Sequence, residues 1–300
     1  MFASGLEEIK NRLTDEEKSR LSRSRQLGRF CWTSIRWFVL LFFAVITAFP
    51  LIWTILSSFK TSQEILSSAL ALPTKLHWEN YINALKVTGI ARAFLNSLVV
   101  TGVSVIINAY IAILAAYVMA RFRFRGSGFL MFLLTMGILI PINSALLPIK
   151  LVMDRLYLSN SLFGLAVLYA TIGLPISVLI LRSYILGIPI EIDEAARIDG
   201  AGLWYVVRGI ITPIARPGLV TIMILQAIYC WNEFLFAIVL ISSEVNRTLQ
   251  IAIRFFVGRF FFDYGGLFAA MVLAILPTVV LFVMFQEHVV SSLSAGAVKH

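Results

Sequence analysis

Residues Glu191-Ile-Asp-Glu-Ala-Ala-Arg-Ile-Asp-Gly-Ala-Gly202, followed by Ile210-Ile-Thr-Pro213, form a polar stretch set between two long apolar runs. Pro189 can open a short helix here, and Glu191, Asp193 and Glu194 crowd its first turn, where carboxylates favour the positive end of the helix dipole. Gly200 then ends it, because glycine takes the left-handed conformation at little cost and lets the chain turn sharply. A second amphipathic stretch runs through Trp204, Val206, Val207 and Ile210 to Pro213. The spacing predicts a compact two-helix elbow. Its first helix carries Ala195 and Ala196, a flat, small face suited to lie in a groove of another protein.

The runs on either side are apolar enough for a membrane. The chain is 59% hydrophobic and 14% charged, with a mean hydropathy of +0.89, which is greasier than a soluble domain of this length. A membrane-crossing helix needs about 20 mainly apolar residues. Six stretches meet that need: Trp37 to Phe59, Ala93 to Ala120, Gly128 to Ile149, Leu162 to Leu181, Leu219 to Ile241 and Leu267 to Phe285. The expected fold class is therefore all-α, a polytopic membrane protein with six transmembrane helices. It divides into an amino-terminal extension over 1–36, the six-helix domain over 37–290 with the elbow at 189–216, and a tail over 291–300.

The net charge of +9 would suit nucleic acid, but its placement points to membrane orientation instead. Lys10, Arg12, Lys18, Arg20, Arg23, Arg25, Arg29 and Arg36 precede the first span; Arg121, Arg123 and Arg125 follow the second; Arg182, Arg197, Arg208 and Arg216 flank the elbow. By the positive-inside rule these segments face the cytoplasm, as do both termini. Leu6, Ile9 and Leu13 give the extension a weak apolar stripe, consistent with a solvated helix or with one lying on membrane lipid. Cys31 and Cys230 are too far apart in the expected topology to pair. No cleavable signal peptide is expected before the first span.

Several spans carry packing or hinge signals. Asn108, Ala112, Ala116 and Ala120 recur every fourth residue in the second span, a stripe of small side chains where another helix can approach closely. Pro141 and Pro148 in the third span, and Gly173 and Pro175 in the fourth, permit kinks. Gln226, Tyr229, Trp231, Asn232 and Glu233 cluster in the fifth, joining an aromatic face and amides with an ionisable group near the membrane. They are candidates either for a sugar pathway or for helix packing and gating.

The motif of Glu194-Ala195-Ala196, Gly200, Ile210 and Pro213 resembles the "EAA" loop of bacterial ABC-importer permeases, with Thr212 where that family usually has leucine. Ala116-Tyr117 through Arg121 to Gly126 is similar to the sugar-permease corner "AYxxARxxFxG". Trp231-Asn232-Glu233 resembles the family's "WNE", and Gly296-Ala297-Val298-Lys299 its "GAVKG" tail, here closed by His300. The resemblance covers nearly all residues after about 36 and identifies the chain with the smaller permease of maltose-type carbohydrate importers.

That resemblance implies a non-catalytic subunit in the bacterial cell membrane. Its expected partners are a second homologous permease, two ATPase subunits, an extracytoplasmic solute-binding protein and a carbohydrate. Glu194, Ala195, Ala196, Arg197, Asp199, Gly200 and Pro213 would carry the coupling to the ATPase, and Gly296, Val298 and Lys299 would touch it from the tail. No Gly-x4-Gly-Lys-Ser/Thr loop cradles phosphates. His77, His288 and His300 are too scattered for a metal, and no cofactor is expected. An ion-coupled secondary transporter is the rival reading; it would call for paired acids within the membrane, where only Glu233 stands.

Overall fold

The computed structural model describes residues 15–87, 89–254, 256 and 263–297. The chain divides into two units, Met1–Leu56 and Ser57–His300. The first consists, among the described residues, of one helix, α1 (Asp15–Ser57), which passes through Pro50 without stopping. Thr54 donates its hydroxyl back to the Pro50 carbonyl at 2.8 Å. The helix runs unbroken across residue 36, where the extension was expected to end.

In the second unit the loop after residue 57 folds on itself. Helix α2 (Ser62–Ser67) opens on a capping box between Thr61 and Glu64, and α3 (Glu79–Val87) follows. Phe59, Trp78 and Tyr81 pack their rings together, with centroids 4.8 to 6.1 Å apart. Lys60, despite its charge, is only 1% exposed. Its ammonium donates to the Ala69 carbonyl at 3.1 Å, just past the carboxyl end of α2, where a cation is favoured.

Helices α4 (Ile90–Arg121) and α7 (Leu162–Leu186) form the spine. They run parallel: Asn108 of α4 donates to the Ala170 carbonyl, and Arg182 near the end of α7 donates to the Met119 carbonyl. The small-residue stripe explains the closeness. Asn108, Ala112 and Ala116 are buried, and Ala112 and Ala116 share a core with Val178, Leu181 and Ile185.

Two of the expected spans are broken. Helix α5 (Ser127–Leu139) stops before Pro141, whose ring cannot continue the hydrogen-bond ladder. A short 3-10 turn then leads into α6 (Leu146–Arg155), and the two arms meet at 95°. The stretch 128–149 is thus a bent pair, turned beside the first of the two prolines that permit a kink there. Likewise α10 (Arg216–Asn232) ends at Glu233, whose ψ of 129° is extended, and α11 (Leu235–Leu240) begins afresh. Helix α12 (Leu249–Arg254) and the long α13 (Tyr264–Ala297) complete the unit. Among the described residues four helices are long and apolar enough to cross a membrane, or up to six if the bent pairs over 127–155 and 203–232 each count as one span.

Candidate functional site

The elbow lies where α7 hands over to α8 (Ile190–Ile198). Pro189 precedes α8 with extended backbone, and Glu191 and Asp193 occupy its first turn. Its end is a Schellman turn. Gly200 has φ +83°, its N–H bonds to the Arg197 carbonyl, and the Ala201 N–H reaches back to the Ala196 carbonyl at 2.9 Å.

The second arm, α9 (Leu203–Ile214), is unusual. Residues Val206–Ile211 are wound as a π-helix, and both the backbone N–H and the hydroxyl of Thr212 bond to the Val207 carbonyl. Proline at 213 has no N–H to offer the Gly209 carbonyl, and the wider π turn moves the ladder off that position. The threonine that departs from the family's usual leucine is therefore the residue that closes this turn. Helix α10 then leaves at 79° to α9.

The elbow residues divide between surface and core. Glu194, Ala195, Arg197, Asp199 and Gly200 face outward. Ala196 turns inward and joins the cluster of Tyr117, Ile188 and Val206. The flat face expected from both alanines is thus offered by Ala195 alone, because neighbouring residues on a helix point about 100° apart. Ile198, which the sequence reading passed over, is 85% exposed at the tip. Behind the tip an open concavity of about 640 Å³ is lined by Ala196, Asp199, Gly200, Gly202, Tyr205 and Ile210.

What anchors the elbow is a residue the sequence reading gave only a capping role. Asp193 is 2% exposed and accepts Arg121 Nε at 2.8 Å on its Oδ2. The Tyr117 hydroxyl reaches the same oxygen at 3.3 Å. Arg121 Nη2 also donates to the Ile188 carbonyl at 2.9 Å, and the Arg197 guanidinium lies 5.7 Å from the centre of the Phe122 ring.

Of the five candidates in the fifth span, Gln226, Tyr229 and Glu233 all meet Tyr169 of α7, whereas Trp231 packs on Phe94 and Asn232 is exposed. Gln226 is 3% exposed, donating to Ser104 Oγ and to the Tyr169 carbonyl, both at 2.9 Å. Trp231 is 4% exposed, with its indole N–H on the Ala274 carbonyl at 2.9 Å and its ring edge-on to Phe94. Glu233 accepts the N–H groups of Phe236 and Ala237 at 2.8 and 3.1 Å, capping α11, and takes the Tyr169 hydroxyl as well. Tyr229 is half-buried against Tyr169. Asn232 is exposed, its amide donating to the Ile228 carbonyl. In the tail, Gly296 lies within α13, while Val298 and Lys299 fall outside the described residues. Among the described residues no three His, Cys, Asp or Glu side chains gather as a metal site would require.

Comparison with known proteins follows the same lines. Residues 109–295 match the family described as "Binding-protein-dependent transport system inner membrane component". The chain is 33% identical to the diacetylchitobiose uptake system permease protein NgcG of Streptomyces coelicolor, over 86% of each chain. It is 34% identical to the multiple sugar-binding transport system permease protein MsmG of Streptococcus mutans, over 85% of this chain and 93% of that one. Its fold resembles a chain in the crystal structure of a bacterial ABC transporter that imports the polysaccharide alginate, with a TM-score of 0.77 at 22% identity, covering 87% of this chain and 97% of that one.

Proposed function

The chain belongs to the inner-membrane components of binding-protein-dependent transport systems, and from that premise we propose that it couples ATP hydrolysis in partner subunits to carbohydrate import through the 189–216 elbow. It is a multi-pass permease subunit of an ABC importer and not itself an enzyme. A second permease, ATPases and a binding protein complete the system.

The observation that carries the coupling role is the elbow tip. Glu194, Ala195, Asp199 and Gly200 face outward around Ile198, while α8 is anchored underneath by buried groups. Such a tip offers an ATPase groove a rigid edge with one apolar peg. ATP binding that favours a closed ATPase pair then biases the spans through that edge, to the extent that it binds one arrangement more tightly than the other. Carbohydrate as the cargo is supported by the diacetylchitobiose and multiple-sugar systems of the relatives. Of the α10 residues, the exposed Asn232 and the half-buried Tyr229 suit contact with a sugar, whereas Gln226, Trp231 and Glu233 are occupied by the protein's own groups.

The arginine-rich segments support a cytoplasmic elbow and cytoplasmic termini. Single cysteines at Ser127 and Gly202, in a background without native cysteines, test this: an impermeant thiol reagent labels both in inside-out vesicles and neither in intact cells. The function itself is tested by co-reconstitution. Uptake of radiolabelled diacetylchitobiose or maltose oligomers into proteoliposomes requires the second permease, the ATPases, the binding protein and ATP together; uptake by this chain alone overturns the reading.

A further inference from the structure

The coupling role proposed above requires that force applied to the elbow reach the spans, and one side of the elbow is built for that. We propose that Arg121 and Asp193 are positioning residues for transport: their buried pair welds α8 to the end of α4, so that the elbow, α4 and α7 move as one body and the yielding occurs at the α9–α10 joint.

The weld has two attachments at one guanidinium. Arg121 grips Asp193 within α8 and the Ile188 carbonyl before it, spanning Pro189 on both sides. The two side chains are 6% and 4% exposed. Arg182 ties α7 to the Met119 carbonyl two residues away, and Arg197 rests on Phe122 one residue beyond. The end of α4 thereby holds α7, the link and α8 together.

Stability alone is a poor reason for such a pair. Desolvating two charges largely cancels their attraction, and apolar replacements often do as well. Here the balance is worse still, since Asp193 Oδ1 is buried without a hydrogen-bond partner. What a directional pair supplies instead is a fixed register between two elements. On the other side of the elbow Val206, Val207, Ile211 and Ile222 share an apolar core with α4 and α7, and among the described residues no ion pair fixes their register. There a π-helical stretch, a proline without N–H and a 79° bend succeed one another within residues 206–216, and weakened ladders of this kind are where helices flex.

The complete transporter in nanodiscs, spin-labelled in pairs, tests this. One pair, Glu191→Cys with Ile106→Cys, spans the weld, and another, Glu191→Cys with Met223→Cys, spans the joint. Distances are read with and without ATP and vanadate. We expect the first distance to stay fixed between states and the second to shift. Asp193→Asn should leave the ATPases bound and hydrolysing while the first distribution broadens about twofold and begins to shift; Arg121→Lys, which keeps the charge and loses the fork, should lie between. If neither distance responds in the unaltered protein, the coupling reading itself fails. If the weld distance shifts as much as the joint distance, or Asp193→Asn leaves it as narrow as before, only the weld is overturned. Loss of bound ATPase and of hydrolysis together in Asp193→Asn would reduce the pair to a folding element and overturn it as well.

Discussion

The carboxamide of Gln226 occupies the space that a side chain at Gly173 would need: a β-carbon there would lie 1.8 Å from Gln226 Oε1. The glycine, read from sequence as a possible kink, is instead the gap through which α10 reaches α7. Asn108 and Ser177 bond to each other beside it, at 2.7 Å.

Gly173→Ala should therefore displace Gln226 from Ser104 and from the Tyr169 carbonyl. Leaving a buried amide unpaired costs about 1–3 kcal/mol. The expected outcome is a fall of several degrees in the thermal unfolding midpoint of the purified complex. An unchanged midpoint would show that the seam relaxes freely.

Gly200→Val forces a β-branched side chain to φ +83°, a strain of about 1–3 kcal/mol. No neighbouring atom crowds that position, so the strain is in the backbone alone. Gly200→Asn should accordingly be milder, since asparagine tolerates this region. Transport per ATP is expected to drop strongly in the valine variant and modestly in the asparagine one, with membrane insertion intact. Equal coupling in both would remove the turn from the mechanism.

Glu233→Gln separates ATP-driven coupling from ion coupling. The glutamine retains one oxygen for either the Phe236 or the Ala237 N–H, which the carboxylate meets through separate oxygens, and so most ATP-dependent uptake should survive. Glu233→Ala removes the cap and should cost about 1 kcal/mol of stability. Uptake by the unaltered protein that is abolished by an uncoupler at constant ATP, and by Glu233→Gln, would restore the secondary-transporter reading.

In the 58–89 segment the hydroxyl of Thr74, with the backbone N–H of Thr61, holds the Glu64 carboxyl down to about 2. A depressed acid stabilises the folded loop above its unfolded value and loses that contribution as the pH falls through the folded one. Thr74→Val is then not a silent change. Peptic cleavage near Leu66 and Leu70 should be faster in Thr74→Val than in the unaltered protein at pH 4.5, and the two rates should converge towards pH 2. Equal rates at pH 4.5 would dissociate the hydroxyl from the loop's integrity.

The spans and the elbow were legible because their signals are local: hydropathy over a window, a proline before acids, a glycine where a helix must stop. The break at Pro141 was visible as a residue but not as a 95° turn, since a proline fixes a missing hydrogen bond and leaves the outcome to its neighbours. Asp193 read as one more first-turn acid, because its partner lies 72 residues earlier and no periodicity links the two. Glu233 read either as a pathway acid or as a packing or gating residue for a related reason. A carboxylate directly before a short apolar run is also a capping signal, and it takes the extended backbone at Glu233 to bring the carboxylate onto the first N–H groups of α11.

Arg121 has a history within each synthesis of the chain. With 72 residues between it and Asp193, a ribosome adding about 5–20 residues per second leaves the guanidinium without its carboxylate for roughly 4–14 seconds. During that interval, on the proposed orientation, it is a free positive charge that keeps the corner after α4 from crossing the bilayer. Once the elbow emerges, the same charge is withdrawn from solvent. A substitution at Arg121 is thus exposed to two separate failures, an inverted hairpin early and a loose elbow late, whereas one at Asp193 meets only the second.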